Sequence, residues 1–291
     1  MTKHVPVLLD ALLDLLQPQP NKTYIDATLG GGGMAHAILK MTKPNGTIVG
    51  IEQDNKAIER VKKSARLKIL YGNFRSIDNL VGKDQKFDGI YFDLGISTDQ
   101  LDDDTRGISF QKSDAPLDMR MSVDKEHFTA AQLLNNAAEV DLVNVFSSYG
   151  QEPRSKTVAR KIVSARKVKP FERVEDLLNV IQKVYPKNYY KKHPGTKVWQ
   201  ALRIAVNDEL AAIETALPKA FALLQPGGKL IVISFHSLED RIVKQYFKSK
   251  IKEGTASTLN KRVITPTALE IKTNPRSRSA KLRGIQKEKK K

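Results

Sequence analysis

The first third of the chain alternates short β-rich runs with helix-patterned segments, and this alternation restricts the fold more than any other feature. The runs are 23–28 (TYIDAT), 47–52 (TIVGIE), 68–71 (KILY) and 87–94 (FDGIYFDL). Helical patterns lie between them at 34–41 and at 55–66, where Ile58 and Val61 point inward. Strands separated by helices imply βαβ units and a parallel sheet. A short amphipathic helix, 7–16, precedes them with Leu8, Leu12, Leu15 and Leu16 on one face, ended by Pro18 and Pro20.

From about 98 to 195 no strand pattern is found. The spacing predicts helices at 130–136, 140–149, 155–166 and 174–184, with Gly150 past the end of the second. One long helix is expected over 198–224, broken or kinked at Pro218. Pro226-Gly227-Gly228 reads as a turn, followed by a strand at 229–235, a helix at 238–250 and two last strands at 269–272 and 280–285. The lysine-rich tail 287–291 is expected to be disordered. The fold class that follows is α/β: a Rossmann-like sheet domain, 1–97 and 205–291, carrying an inserted all-helical subdomain, 98–204.

Glycines Gly30 to Gly33 lie between the first strand and its helix, where backbone can approach a ligand and face a helix N-terminus. Gly30, Gly32 and Ala35 fit the dinucleotide spacing, so an NAD-dependent oxidoreductase competes. Asp26 speaks against it, because a pyrophosphate gains nothing from a buried anion. The sulfonium and α-amino groups of S-adenosylmethionine are cationic and suit such a carboxylate. Glu52 ends the second strand, where an acid accepts ribose hydroxyls in either cofactor class. Asp93 ends the fourth strand, at the carboxyl edge where open α/β sheets bind ligands. Phe74 follows the third strand, placed either against an adenine or in the core.

The formal charge is +17, from 49 Lys plus Arg against 32 Asp plus Glu. Such an excess points to a polyanionic partner. Three basic groups stand out: Arg154, Lys156, Arg160, Lys161, Arg166, Lys167 and Lys169; then Lys187, Lys191, Lys192 and Lys197 interleaved with Tyr185, Tyr189 and Tyr190; then Arg276, Arg278, Lys281 and Arg283. Cations that neutralise phosphates, with tyrosines that stack on unpaired bases, read as an RNA surface. There is no cysteine, which excludes disulfides, thiolate metal sites and a cysteine nucleophile. Histidines 4, 36, 127 and 193 are too scattered to suggest a metal site, and none is expected. No signal peptide or bilayer-spanning run is found, so a cytoplasmic protein without membrane attachment is expected.

Several long segments, in order, resemble the bacterial small-subunit (16S) ribosomal RNA cytosine-N4 methyltransferases: HVPVLLDALL, YIDATLGGGG, FDGIYFDLGIS with Gln100-Leu101-Asp102, PLDMRM from Pro116 to Met121, QALRIAVNDEL from Gln200 to Leu210, ISFHSLEDRIVK from Ile233 to Lys244, and NPRSRSAKLR from Asn274 to Arg283. The resemblance covers nearly the whole chain. It implies S-adenosylmethionine as methyl donor, a cytosine of the decoding centre as target, and small-subunit rRNA or the assembled small subunit as partner. It further implies cofactor contacts at Gly32, Gly33, Met34, Glu52, Phe74, Asp93 and Gln100. Met34 stands where histidine is common, and Glu52 where aspartate is common; Glu52 keeps the charge on a side chain one methylene longer.

Without cysteine, the covalent route to cytosine C5 is closed. The N4 lone pair is delocalised into the ring, so a carboxylate accepting its N–H is needed, and Asp93 is the candidate catalytic residue. His236 in SFHSLED either contacts RNA, assists proton removal or holds its loop by hydrogen bonds. A DNA cytosine-N4 methyltransferase and a non-catalytic ribosome-assembly factor are the remaining alternatives.

Overall fold

The computed structural model describes residues 6–122, 128–185 and 193–289. The chain divides into two units, Met1–Gly95 with Leu210–Lys291, and Ile96–Glu209. The first is built on a seven-stranded sheet of β1 (Thr23–Asp26), β2 (Thr47–Glu52), β3 (Leu67–Tyr71), β4 (Phe87–Asp93), β5 (Leu224–Ser234), β6 (Ala256–Thr258) and β7 (Lys281–Lys287), in the order β3-β2-β1-β4-β5-β7-β6. The first five strands pair in parallel and β7 runs antiparallel to β5. This is the Rossmann-like sheet expected from the strand–helix alternation.

Side chains alternate across each strand. Ile25, Ile51, Ile90, Phe92, Leu230 and Val232 join one core with Ile213, Leu217 and Phe221 of the helix Glu209–Leu223. Tyr24, Ile48, Tyr91, Ile231 and Ile233 join the other with Leu12 and Leu16 of Leu9–Leu16 and Ile38 of Gly33–Met41. The same period carries Asp26, Glu52 and Asp93 onto the second face, two residues beyond Tyr24, Gly50 and Tyr91 respectively.

The second unit is helical, with Thr98–Asp102, Ala130–Asn136, Glu139–Ser148, Ser155–Arg166, Val174–Val184 and Thr196–Asn207 around one apolar core that includes Phe146, Ile162, Leu177 and Trp199. No helix among the described residues is long and apolar enough to cross a membrane.

The structure differs from the sequence reading at several places. The helix after β2 stops at Arg60, because Val61 is extended. The long helix expected over 198–224 is two, separated at Asp208 (φ 48°), while Pro218 stays inside the second. Aspartate tolerates this left-handed conformation better than most residues. Pro226-Gly227-Gly228 lies within β5, where the pairing with β4 slips between Phe87 and Gly89. Residues 269–272 belong to a helix, Ala268–Thr273, whose N-cap Thr267 accepts from Glu270 N–H. Strand β6 and the helix Thr98–Asp102 went unread. Lys287 is no tail: it ends β7, and its ammonium donates to the Phe221 and Leu224 carbonyls at the end of the helix Glu209–Leu223.

Candidate active site

The loop after β1 crosses the neighbouring strand tips by backbone hydrogen bonds: Ala27 N–H to Tyr91 O (3.0 Å), Leu29 N–H to Ile51 O (3.0 Å) and Gly30 N–H to Glu52 Oε2 (2.8 Å). Gly50 makes the crossing possible, since a Cβ there would stand 2.7 Å from Leu29 Cδ2. Gly30 and Gly32 have φ of 49° and 75°, where side chains are strained. Gly32 caps the helix Gly33–Met41, and Met34 is buried in its first turn. A Cβ on Gly33 would stand 2.9 Å from the Pro6 ring.

Asp26, Glu52 and Asp93 are brought together at the tips of β1, β2 and β4. Asp26 is buried, with Oδ2 accepting from the Tyr91 hydroxyl (2.8 Å) and Oδ1 from Thr28 N–H (3.1 Å). Thr28 Oγ1 in turn accepts from Asp93 N–H (2.7 Å). Glu52 is buried and accepts from three backbone N–H groups, those of Gly30, Gln53 and Asp54. Asp93 differs: its Oδ1 is shut off from solvent and has no hydrogen-bond partner among the described residues. Among the described residues no lysine or arginine pairs with any of these three carboxylates.

Like charges in a dry site hold on to protons. Burial pushes Asp26 up to about 7, against the pull of the Tyr91 and Thr28 hydrogen bonds, and Glu52 adds to the rise. Burial, then the charges of Asp26 and Glu239, pushes Asp93 up to about 8. Glu52 is raised by burial and held back by its backbone donors.

Glu239 completes this acidic group and was not read from the sequence. It is buried in the first turn of Ser237–Lys252, and its Oε2 accepts from Phe235 and His236 N–H. His236 is the N-cap of that helix, its Nδ1 accepting from Glu239 N–H at 3.3 Å. Of the roles open to His236, the structure displays loop-holding. The H-x-x-E spacing, a variant of the capping box, was the available signal. Phe74 lies in a short 3₁₀ turn after β3, partly buried, its ring edge-on to Phe92 at 5.6 Å. Gln100 belongs to the helical unit, where its side chain closes a capping box with Ser97.

The sequence matches the model of the MraW methylase family over residues 1–288. The chain belongs to the MraW methylase family. Its relatives include "Ribosomal RNA small subunit methyltransferase H" of Heliobacterium mobile, 41% identical over 98% of each chain. The protein of that name from Dictyoglomus thermophilum is 44% identical over 96% of this chain and 95% of its own. A crystal structure of an rRNA methylase from Streptococcus thermophilus aligns over 99% of both chains at 9% identity and a TM-score of 0.45. As a family member the chain is an S-adenosylmethionine-dependent methyltransferase, and the dinucleotide alternative falls. The residues fit a cationic cofactor: among the described residues a buried carboxylate oxygen without a partner, and acids without a lysine or arginine partner, lie at strand tips beside a glycine bend.

Proposed function

We propose that this protein methylates the exocyclic N4 of a cytosine in the decoding centre of small-subunit ribosomal RNA. Asp93 carries the reading. Its Oδ1, at the tip of β4, is the one carboxylate oxygen of the three strand-tip acids that is buried without a partner among the described residues. S-adenosylmethionine supplies a methyl group already activated by its sulfonium. Asp93 Oδ1 would accept the N4–H, localise the nitrogen lone pair and keep the proton as the N–CH3 bond forms and the methyl–sulfur bond breaks, its electron pair leaving on the neutral thioether. A carboxylate whose proton affinity is raised by burial is a stronger base for this task than one in water. Asp26, Glu52 and Asp93 provide the field that holds a cation, and Gly32, Gly33 and Met34 let the amino-acid end of the donor approach the helix N-terminus. A carboxylate offers about four acceptor positions, so Glu52 keeps one for a ribose hydroxyl beyond its three backbone donors. Phe74 takes the adenine.

Residues 1–97 and 205–291 act as the methyltransferase domain and 98–204 as the RNA-recognition subdomain. Within the helical unit Lys156, Arg160, Lys161 and Lys167 are exposed on or beside Ser155–Arg166. Arg154 and Arg166 are occupied with the carbonyls of Val184, Leu134 and Ala137, and Lys169 pairs with Asp176. Tyr185 is buried with its hydroxyl on Glu152, so it does not stack on bases. Residues 186–192, with the other two tyrosines, lie outside the described residues. In the third group, Lys281 and Arg283 pair with Asp240. Binding of RNA should therefore weaken steeply with salt. Replacing Lys156 and Lys161 by alanine should reduce the log–log slope by roughly 1.5, measured by filter binding across a salt series.

The deciding test is transfer of labelled methyl to small subunits and to naked rRNA from a strain lacking the enzyme, with DNA as control. Mass spectrometry of digested nucleosides should find N4-methylcytidine in the RNA. Label in C5-methylcytidine, in DNA alone or nowhere would overturn the reading.

A further inference from the structure

Tyr91 is fully buried, directly opposite Asp26 in the β1–β4 register, and donates its hydroxyl hydrogen to Asp26 Oδ2 at 2.8 Å. Among the described residues no other side chain donates to Asp26, whose Oδ1 accepts from the Thr28 N–H. The charged group that raises Asp26 is Glu52 on β2, an acid, while Asp26 itself and Glu239 raise Asp93 on β4. Tyr91 itself is held neutral, because burial and the neighbouring acids disfavour its phenolate. A neutral donor hydrogen-bonded to a buried carboxylate stabilises the charged form of that carboxylate.

We propose that Tyr91 is a positioning residue for the methyl donor: its hydroxyl keeps Asp26 oriented and anionic at the strand tips, so that the site prefers the cationic donor to the neutral-sulfur product. The proposal rests on the cofactor site assigned above. S-adenosylmethionine and S-adenosylhomocysteine share the adenosine, the carboxylate and the α-amino group, and differ in the methyl group and the sulfonium charge it creates. Discrimination between them therefore reports the charge of the acidic group, and product release follows from the loss of that attraction. Asp26 and Asp93 are raised to about 7 and about 8, so both titrate around neutrality, and arrival of the sulfonium cation completes an ionisation that the Tyr91 hydroxyl favours at Asp26 and that the neutral-sulfur product does not drive.

The test is calorimetric titration of the full-length protein with both ligands from pH 6 to 9.5, in buffers of different ionisation enthalpy. The wild type should release protons on binding S-adenosylmethionine and gain affinity as pH rises, with S-adenosylhomocysteine nearly flat. In Tyr91→Phe the midpoint of the donor curve should move up by about one unit, with donor affinity at pH 7 lowered roughly tenfold. Product affinity should stay at the wild-type value, which also verifies that the variant is folded. In an Asp26→Asn background, adding Tyr91→Phe should produce no further shift. A Tyr91→Phe donor curve superimposed on wild type, or equal weakening of both ligands, would overturn the role of Tyr91 while leaving the cofactor site standing. Failure of the wild type to bind either ligand would overturn the site, and this role with it.

Discussion

Replacing Asp93 by asparagine should lower the single-turnover methylation rate by roughly 10²–10⁴-fold at saturating methyl donor, the range that a positioned general base supplies. The amide retains the shape of the carboxylate and one acceptor oxygen, so nucleotide placement changes little, but it cannot keep a proton. The same substitution should stabilise the ligand-free protein in alkali. Asp93 is raised to about 8, above the ordinary carboxylate range. A group raised in the folded state contributes stability that is complete below its unfolded value and is lost as pH rises through the folded one. The wild type should thus lose thermal stability from about pH 4 up to about pH 8, as a carboxyl with one buried, unpartnered oxygen is forced to ionise. Asp93→Asn removes that group, and its thermal midpoint at pH 9 should exceed the wild type's by several degrees, on the order expected for 1–2 kcal/mol. Scanning calorimetry on both proteins at pH 6 and 9 reads this directly. A rate unchanged by the substitution would remove Asp93 from the chemistry; a rate loss without the stability gain would contradict its burial without a partner.

This opposition between stability and activity is what the strand tips have in common. Strands that end at one edge of a parallel sheet place side chains of one phase on one face, and in this chain that phase carries Asp26, Glu52 and Asp93. Those positions were legible in the sequence because they depend only on strand phase and the two-residue alternation. Tyr91 was not legible as a partner of Asp26, although it sits inside the same FDGIYFDL run. Its role depends on β4 lying next to β1 with Asp26 opposite Tyr91, and such register is a property of the assembled sheet. Gly50 is similar, since its lack of a side chain matters only once Leu29 crosses above it. Other omissions were local and could have been read. Thr267-x-x-Glu270, Ser97-x-x-Gln100 and His236-x-x-Glu239 are all capping spacings that mark helix starts. The break at Asp208 lacked such a sign, because the apolar spacing runs on through it while Pro218 offered a stronger but false punctuation.

Substitution of Arg203 by alanine should destabilise the protein by about 3–5 kcal/mol, although Arg203 lies in the QALRIAVNDEL segment that identifies the family. Its guanidinium grips Glu209 through two bonds, Nε to Oε1 at 2.7 Å and Nη2 to Oε2 at 2.9 Å. Both side chains are largely buried, so removing the arginine leaves a carboxylate without its fork in a dry setting. The pair closes the left-handed link at Asp208. Beside it, Asn207 donates to Met119 O and accepts from Met121 N–H, bracketing PLDMRM at a residue whose φ is 64°. Loss of the pair therefore loosens the helix end that holds that loop in its strained form. Urea unfolding of Arg203→Ala, Glu209→Ala and the double variant Arg203→Met with Glu209→Leu separates the possibilities. Each single truncation should cost several kcal/mol, while the apolar double variant should recover most of the loss, because two charges leave together. Equal loss in the double variant would mean that the charges themselves, rather than the packing they fill, hold this helix end. A single variant within about 0.5 kcal/mol of wild type would show the pair to be solvated in solution.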